Sequence, residues 1–230
     1  MRIVLLHGQN HKGSTYHIGR MIADKTEGEN EITEFFFPRD LNHFCVGCYQ
    51  CIEDFTACPF YSEKQVIINA VDQADILIVT TPTYCMHVSA PLKAFMDLTF
   101  DLWMSHRPME SMFRKKAVIV STAAGMGTKS AISDVRDALF YMGVPKIYKY
   151  GLTVQAMNCD QVSEDKKARI DRDTSAISKK LSDQTPSVGI KTRFVFRMMG
   201  MMHQKGWNSS PVETAYWKEK GWLDGKKPWD

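Results

Sequence analysis

Apolar positions along the chain fall into two kinds of run. Residues 3–6, 76–79 and 117–120 are continuous Val/Ile/Leu/Ala runs rather than alternating ones, the pattern of parallel strands covered on both faces. With two further runs they give candidate strands at Arg2–Leu6, Glu31–Phe37, Ile76–Thr81, Lys116–Thr122 and Lys146–Leu152. Between them lie stretches with apolar residues at helical spacing: Ser14–Lys25, Ser62–Gln73, Ala90–Trp103, Thr128–Tyr141 and Ser163–Leu181. On the third, Leu92, Phe95, Met96, Thr99, Leu102 and Trp103 form one stripe. Strict alternation of strand and helix predicts an α/β fold with a doubly wound, five-stranded parallel sheet. Such sheets bind ligands at the carboxyl ends of their strands, beside the point where strand order reverses.

The last segment has another character. From Thr192 a helical face carries Phe194, Val195, Met198, Met199, Met201 and Met202, with Arg193, Arg197, Gly200 and Gln204 opposite. A second helix follows, with Ser210 as cap, Pro211 first, Glu213 closing a capping box and Gly221 ending it. Such a face packs on its own domain or on a second subunit, and the expected contact is the second subunit, giving a homodimer or higher homo-oligomer. The alternative is a basic face lying on a membrane surface.

Composition narrows the function classes. The chain has 230 residues and a net charge of +3, so charge does not demand a nucleic-acid partner. No run approaches the roughly 20 apolar residues of a membrane span. The first residues lack the long apolar stretch of a signal peptide, and the expected location is cytoplasmic, where thiols stay reduced.

Three loops at strand ends are the candidate site. The first, "HGQNHKGSTYHIGR", has the glycine spacing of a nucleoside-triphosphate loop without its Lys-Ser/Thr ending, and it lacks GxGxxG. It offers backbone amides, a helix N-terminus, Ser14, Thr15 and Lys12 to one phosphate. The plain alternative for Ser14 is a helix cap. In the second, "TPTYCMHVSAPLKAFMD", Pro82 stops the strand, Tyr84 offers a flat ring and Ser89 caps a helix with Pro91 in its first turn. The third, "STAAGMGTKS", is small and glycine-rich, so backbone can approach a flat ligand.

Together these loops resemble the flavodoxin-like NADPH-dependent FMN reductase and iron–sulfur flavoprotein family. Its first loop reads roughly G-S-x-R-x-x-S/G-N-T and its second S-P-x-Y-x-x-x-x-S-A-P-L-K-x-F-x-D-R. Here Pro82, Tyr84, Ser89, Ala90, Pro91, Leu92, Lys93, Phe95 and Asp97 match in order. His11 or Lys12 stands where the family has arginine, Cys85 where many members have an aromatic residue, and Leu98 in place of the final arginine. The resemblance implies a flavodoxin-like FMN-binding domain over 1–184 and a helical C-terminal extension over 185–230. It places the FMN phosphate on Gln9, His11, Lys12, Gly13, Ser14 and Thr15. The flavin ring falls between Pro82, Thr83, Tyr84, Cys85, Met86 and His87 on one side and Thr122, Ala123, Ala124, Gly125 and Gly127 on the other. His87 is a candidate for contact with flavin or substrate.

The stretch "CVGCYQCIEDFTACP" puts four of the six cysteines within it. Cys45, Cys48, Cys51 and Cys58 have a spacing that permits a [4Fe–4S] cluster, a zinc site or reduced free thiols, and the three readings stay open. Cys159, His43, His106 and His203 read as packing or surface residues. The resemblance implies an FMN-dependent oxidoreductase that takes electrons from NAD(P)H and passes them to a small acceptor: a quinone, a flavin, or a nitro or azo compound. No catalytic acid, base or nucleophile stands out. The competing readings are an iron–sulfur flavoprotein relaying electrons between protein partners, and a flavin-free interaction module.

Overall fold

A computed structural model describes residues 1–154, 162–182, 186–207 and 210–230. Its sheet holds five parallel strands, β1 (Arg2–His7), β2 (Glu31–Phe36), β3 (Ile76–Pro82), β4 (Lys116–Ala123) and β5 (Lys146–Thr153), in the order β2-β1-β3-β4-β5. The three continuous runs are the three inner strands. β3 and β4 are buried at every position, whereas edge strands β2 and β5 carry exposed residues. Strand order reverses between β1 and β3, so the loops after these strands flank the switch point.

Alternate side chains of the inner strands feed two cores. Val4, Leu6, Leu77, Val79, Ala117 and Ile119 pack beneath α3 (Tyr61–Gln73), α4 (Ala90–Asp97) and α5 (Thr128–Tyr141). Ile3, Leu5, Ile76, Ile78, Val118 and Val120 pack beneath α1 (Ser14–Asp24) and α6 (Glu164–Ser182). A short α2 (Gln50–Glu53) lies within the cysteine stretch. The expected doubly wound architecture is therefore present, with strand limits that move by one residue at most.

One helix is shorter than its stripe predicts. α4 stops at Asp97 instead of running to Trp103, and the chain continues as a 3₁₀ turn at Phe100–Leu102. Two last-turn carbonyls are taken by side chains: the Thr99 hydroxyl donates to Met96 O (2.9 Å) and the buried Lys64 ammonium to Leu98 O (3.0 Å). These bonds satisfy groups that a longer helix would have used. Leu102 and Trp103 still pack on the first core, which is why the stripe looked continuous.

The extension forms α7 (Ile190–Gln204) and α8 (Pro211–Glu219). Ser210 caps α8 by accepting from the Glu213 amide, and Gly221 follows the helix at φ 70°. The boundary expected at 184/185 falls at 183–185, outside the described residues, as does Cys159 at 155–161. A third, aromatic core joins the extension to the body through Met104, Phe113, Val195, Phe196, Trp217 and Trp222. The buried side of α7 is Thr192, Val195, Phe196 and His203, not the whole Met/Phe face: Phe194, Met198 and Met201 point outward. His106 and His203 belong to this joint, His106 bonding Glu213 (2.8 Å) and His203 stacking on Trp217. Among the described residues, no helix is long and apolar enough to cross a membrane.

Candidate functional site

β1 delivers the chain into loop one at a fully buried His7. The next residue ties two loops together. The Gly8 amide donates to Thr80 O (2.7 Å), and the Ser89 hydroxyl donates to Gly8 O (2.6 Å). A Cβ at Gly8 would lie 2.5 Å from Ser89 Oγ, so only glycine permits this approach. Ser89 thus spends its hydroxyl on loop one and makes no side-chain cap on α4, contrary to expectation.

α1 begins at Ser14, with Gly13 as N-cap and no side-chain cap bond. The cap expected of Ser14 is absent, and the first-turn amides keep donors that a helix cannot satisfy itself. Ser14 and Thr15 are buried there. Gln9 is only 5% exposed, yet its side-chain Nε2 has no hydrogen-bond partner. That atom lies near Gly13, since a Cβ built there would be 3.7 Å from it. His11 folds over the same glycine, and Lys12 Nζ lies 5.2 Å from the Tyr16 ring centroid. An unpaired buried N–H costs about 1–3 kcal/mol, a cost that an acceptor in this corner would offset. Thr15 is partly committed, because its hydroxyl shares a hydrogen bond with that of Thr122 at the end of β4.

Loop two turns back on itself at Tyr84 and His87, which exchange backbone hydrogen bonds (3.1 and 3.0 Å). The two residues between them, Cys85 and Met86, both lie in the left-handed region, at φ 47° and 71°. For side chains other than glycine this costs of order 1–3 kcal/mol each, and such strain gathers at ligand clamps. The turn is fixed at its root, where the Thr83 amide donates to Thr122 O (2.8 Å) and its hydroxyl bonds that of Ser121 (3.0 Å). Loop three meets the same turn. Gly127 stands at φ 100°, and a Cβ there would lie 2.7 Å from Thr83 Cγ2 and 3.0 Å from Met86 Cα. Pro82, Thr122 and Ala123 are buried at the strand ends, whereas Tyr84, Cys85, Met86, His87, Ala124 and Gly125 are exposed. The three loops therefore form one cradle: a polar corner at α1 and an open cleft edge at loops two and three.

Two contacts escaped the sequence reading: the partner of His87 and the role of His7. His87 Nδ1 bonds Asp134 Oδ2 (3.0 Å) on α5, and the same carboxylate oxygen accepts from the Val88 amide (3.2 Å). No spacing signal links two residues so far apart. His7 bonds Thr80 Oγ1 (2.9 Å) and Glu34 (3.1 Å) beneath loop one, and burial lowers its pKa against the opposing pull of Glu34. It ties β1 to β3 and β2. The signal was a histidine closing an apolar strand just before a loop.

The cysteine stretch is a separate place. Cys45, Cys48, Cys51 and Cys58 line one cavity of about 20 Å³, together with aromatic and aliphatic side chains such as Phe60 and Phe100. Cys51 is buried, and burial foremost, with Asp101 adding, pushes its thiol up to about 11. Among the described residues, no group of three or more His, Cys, Asp or Glu side chains is arranged to hold a metal ion. The expected ligand set is thus gathered on one cavity but not assembled as a metal site.

A cradle at a switch point is where doubly wound α/β proteins take their ligands. The particular family follows from the sequence: the family model for NADPH-dependent FMN reductase matches residues 1–157, and the chain belongs to that family. An iron–sulfur flavoprotein of Methanocaldococcus jannaschii is 28% identical over 133 residues, 55% of this chain and 64% of that protein. An FMN-dependent NADH:quinone oxidoreductase of Colwellia psychrerythraea is 33% identical over 88 residues, 34% of this chain. The matches thus span 64% and 39% of these relatives' own lengths. The fold resembles that of an FMN-dependent NADH-azoreductase from Bacillus anthracis solved with FMN (TM-score 0.59, 7% identity, covering 80% of this chain and 100% of that one). It equally resembles an NAD(P)H:quinone oxidoreductase from Methanothermobacter marburgensis (TM-score 0.59, 16% identity, covering 77% and 96%).

The glycine contacts give a first test. Gly127→Ala is expected to weaken FMN binding about tenfold, because the added methyl collides with loop two and left-handed backbone costs alanine roughly 1–2 kcal/mol. A flavin titration reads it, and unchanged affinity would mean that loops two and three move apart freely.

Proposed function

We propose that the cradle holds FMN and that the chain is an NAD(P)H-dependent oxidoreductase for a small acceptor such as a quinone, a flavin, or a nitro or azo compound. The observation that carries this reading is the polar corner of loop one: an unpartnered buried Gln9 amide beside an uncapped helix N-terminus, at the switch point of a family member. Gln9, Gly13, Ser14 and Thr15, with His11 and Lys12 at the edge, would hold the phosphate. Residues 82–87 and 122–127 would hold the ring. FMN supplies two-electron exchange between nicotinamide and acceptor, while the protein supplies position and electrostatics. Tyr84 and Met86, both exposed, together with the exposed Met126 of loop three, give the cleft an apolar rim for a flat acceptor.

His87 has a role in the same reading. Asp134 accepts from Nδ1 and fixes the ring, so that the imidazolium form gives its Nε2 proton to an oxygen or nitrogen of the reduced acceptor and recovers a proton from solvent. His87→Gln should therefore slow turnover with a quinone by tenfold or more, a larger loss than its effect on FMN affinity, and Asp134→Asn should lose less. Equal turnover in His87→Gln removes this role. The whole reading is tested by purifying the full chain anaerobically and recording its absorbance and iron content. Oxidation of NADH and NADPH with and without a quinone follows on the same sample. Flavin bands, about one FMN per chain and acceptor-dependent oxidation are expected. Flavin without nicotinamide oxidation, accompanied by about four iron per chain, would favour the relay reading raised by the Methanocaldococcus relative. Failure to bind FMN would leave only the flavin-free module.

A further inference from the structure

We propose that the outer face of α7 rests on an anionic lipid surface. Ile190, Phe194, Met198 and Met201 recur at i, i+4, i+8 and i+11, so they form one stripe along the helix. Ile190 is 87% and Phe194 66% exposed, and Trp207, just past the helix end, is 63% exposed. The stripe lies opposite the side that packs on the aromatic core, where Val195, Phe196 and His203 are buried. One side of the helix is thus used up in folding, and the other is apolar and uncovered.

Charge selects the occupant. Residues 186–207 contain Lys191, Arg193, Arg197 and Lys205 and no aspartate or glutamate. The chain carries +3, and this stretch alone contributes +4, so the remainder sits at −1. On a helical projection Lys205 falls within the stripe, Lys191 borders one side and Arg197 and Arg193 the other. Basic residues flanking a Phe/Met/Trp stripe, on a helix too polar to span, are the marks of a helix that lies in a membrane interface. The flanking cations have long stems that let their heads reach headgroup phosphates while the apolar groups enter the acyl boundary. The homodimer expected through the extension would have to use this same face. A two-fold contact apposes a patch to itself, setting these cations against their own copies, which favours lipid phosphate over a second chain.

Cosedimentation of the full-length chain with sucrose-loaded vesicles tests this, comparing phosphatidylcholine alone with a three-to-one mixture of phosphatidylcholine and phosphatidylglycerol. Partitioning onto the anionic vesicles should be at least tenfold stronger and should fall away in molar salt, where charges are screened within about 3 Å. Phe194→Ser with Met201→Ser, and separately Arg197→Gln with Lys205→Gln, should each lower it by about tenfold or more, with the circular dichroism unchanged. Arg193 is left intact because its Nε donates to Val188 O. Equal binding to both lipids, or none to either, overturns the proposal. So does a lipid-free dimer in sedimentation velocity that the serine variants dissociate, which would assign the stripe to a second copy. None of these readouts depends on flavin chemistry.

Discussion

Trp217→Ala is expected to lower the unfolding free energy by about 3–5 kcal/mol, the range for removing a fully buried large aromatic side chain. Trp217 has no exposed surface and stacks against Phe196 at 4.7 Å and His203 at 4.8 Å, with Trp222 edge-on at 5.2 Å. Its indole N–H donates to His106 O (2.6 Å), so truncation also strands a carbonyl in the segment between α4 and β4. The neighbouring backbone leaves little room for collapse, since a Cβ at Gly200 would already lie 3.5 Å from the ring. Urea unfolding followed by far-ultraviolet circular dichroism measures the loss. Phe194→Ala, on α7 but pointing outward, should change stability by no more than about 0.5 kcal/mol. The contrast separates a docked extension from a loose one. A loss under 1 kcal/mol for Trp217→Ala would mean that the aromatic core does not hold the extension to the body.

The same contrast shows where sequence reasoning reaches and where it stops. Continuous Val/Ile/Leu/Ala runs located the three inner strands to within a residue, because β3 and β4, buried along their whole length, leave little exposed surface to blur their limits. The helical stripe of α4 overran its true end, because Leu102 and Trp103 are apolar for packing in a 3₁₀ turn and not for helix. In α7 six apolar positions were read as one face, although two of the wheel's sides are apolar for different reasons. Val195 faces the core, while Phe194, Met198 and Met201 face out. Periodicity reports that a face is apolar, not what covers it. At the cradle, the loops were legible from ordered motif matches, but the hydrogen bonds were not. Ser14 and Ser89 both looked like caps; one caps nothing and the other locks loop one. The His87–Asp134 and His106–Glu213 pairs join residues distant in sequence, and a single sequence carries no signal for such contacts.

Ser14→Ala combined with Thr15→Ala is expected to weaken FMN binding by more than tenfold. The physical case rests on charge: a hydroxyl that donates to a phosphate oxygen contributes roughly 1.5–3 kcal/mol, more than a neutral pair. Both residues are buried in the first turn of α1, where the uncapped amides and the unpartnered Gln9 Nε2 converge on the same corner. The two hydroxyls are not equivalent. Thr15 shares its hydrogen bond with Thr122, so its loss also loosens the tie between α1 and the end of β4. Ser14 has no such bond, and its contribution should be to ligand alone. Riboflavin, which has the same ring and no phosphate, distinguishes the two effects. In fluorescence titrations the double variant should lose its preference for FMN over riboflavin, with riboflavin affinity nearly unchanged, and Ser14→Ala by itself should account for most of that loss. A fall of equal size for both flavins would show that the hydroxyls shape the loop and that the phosphate sits elsewhere.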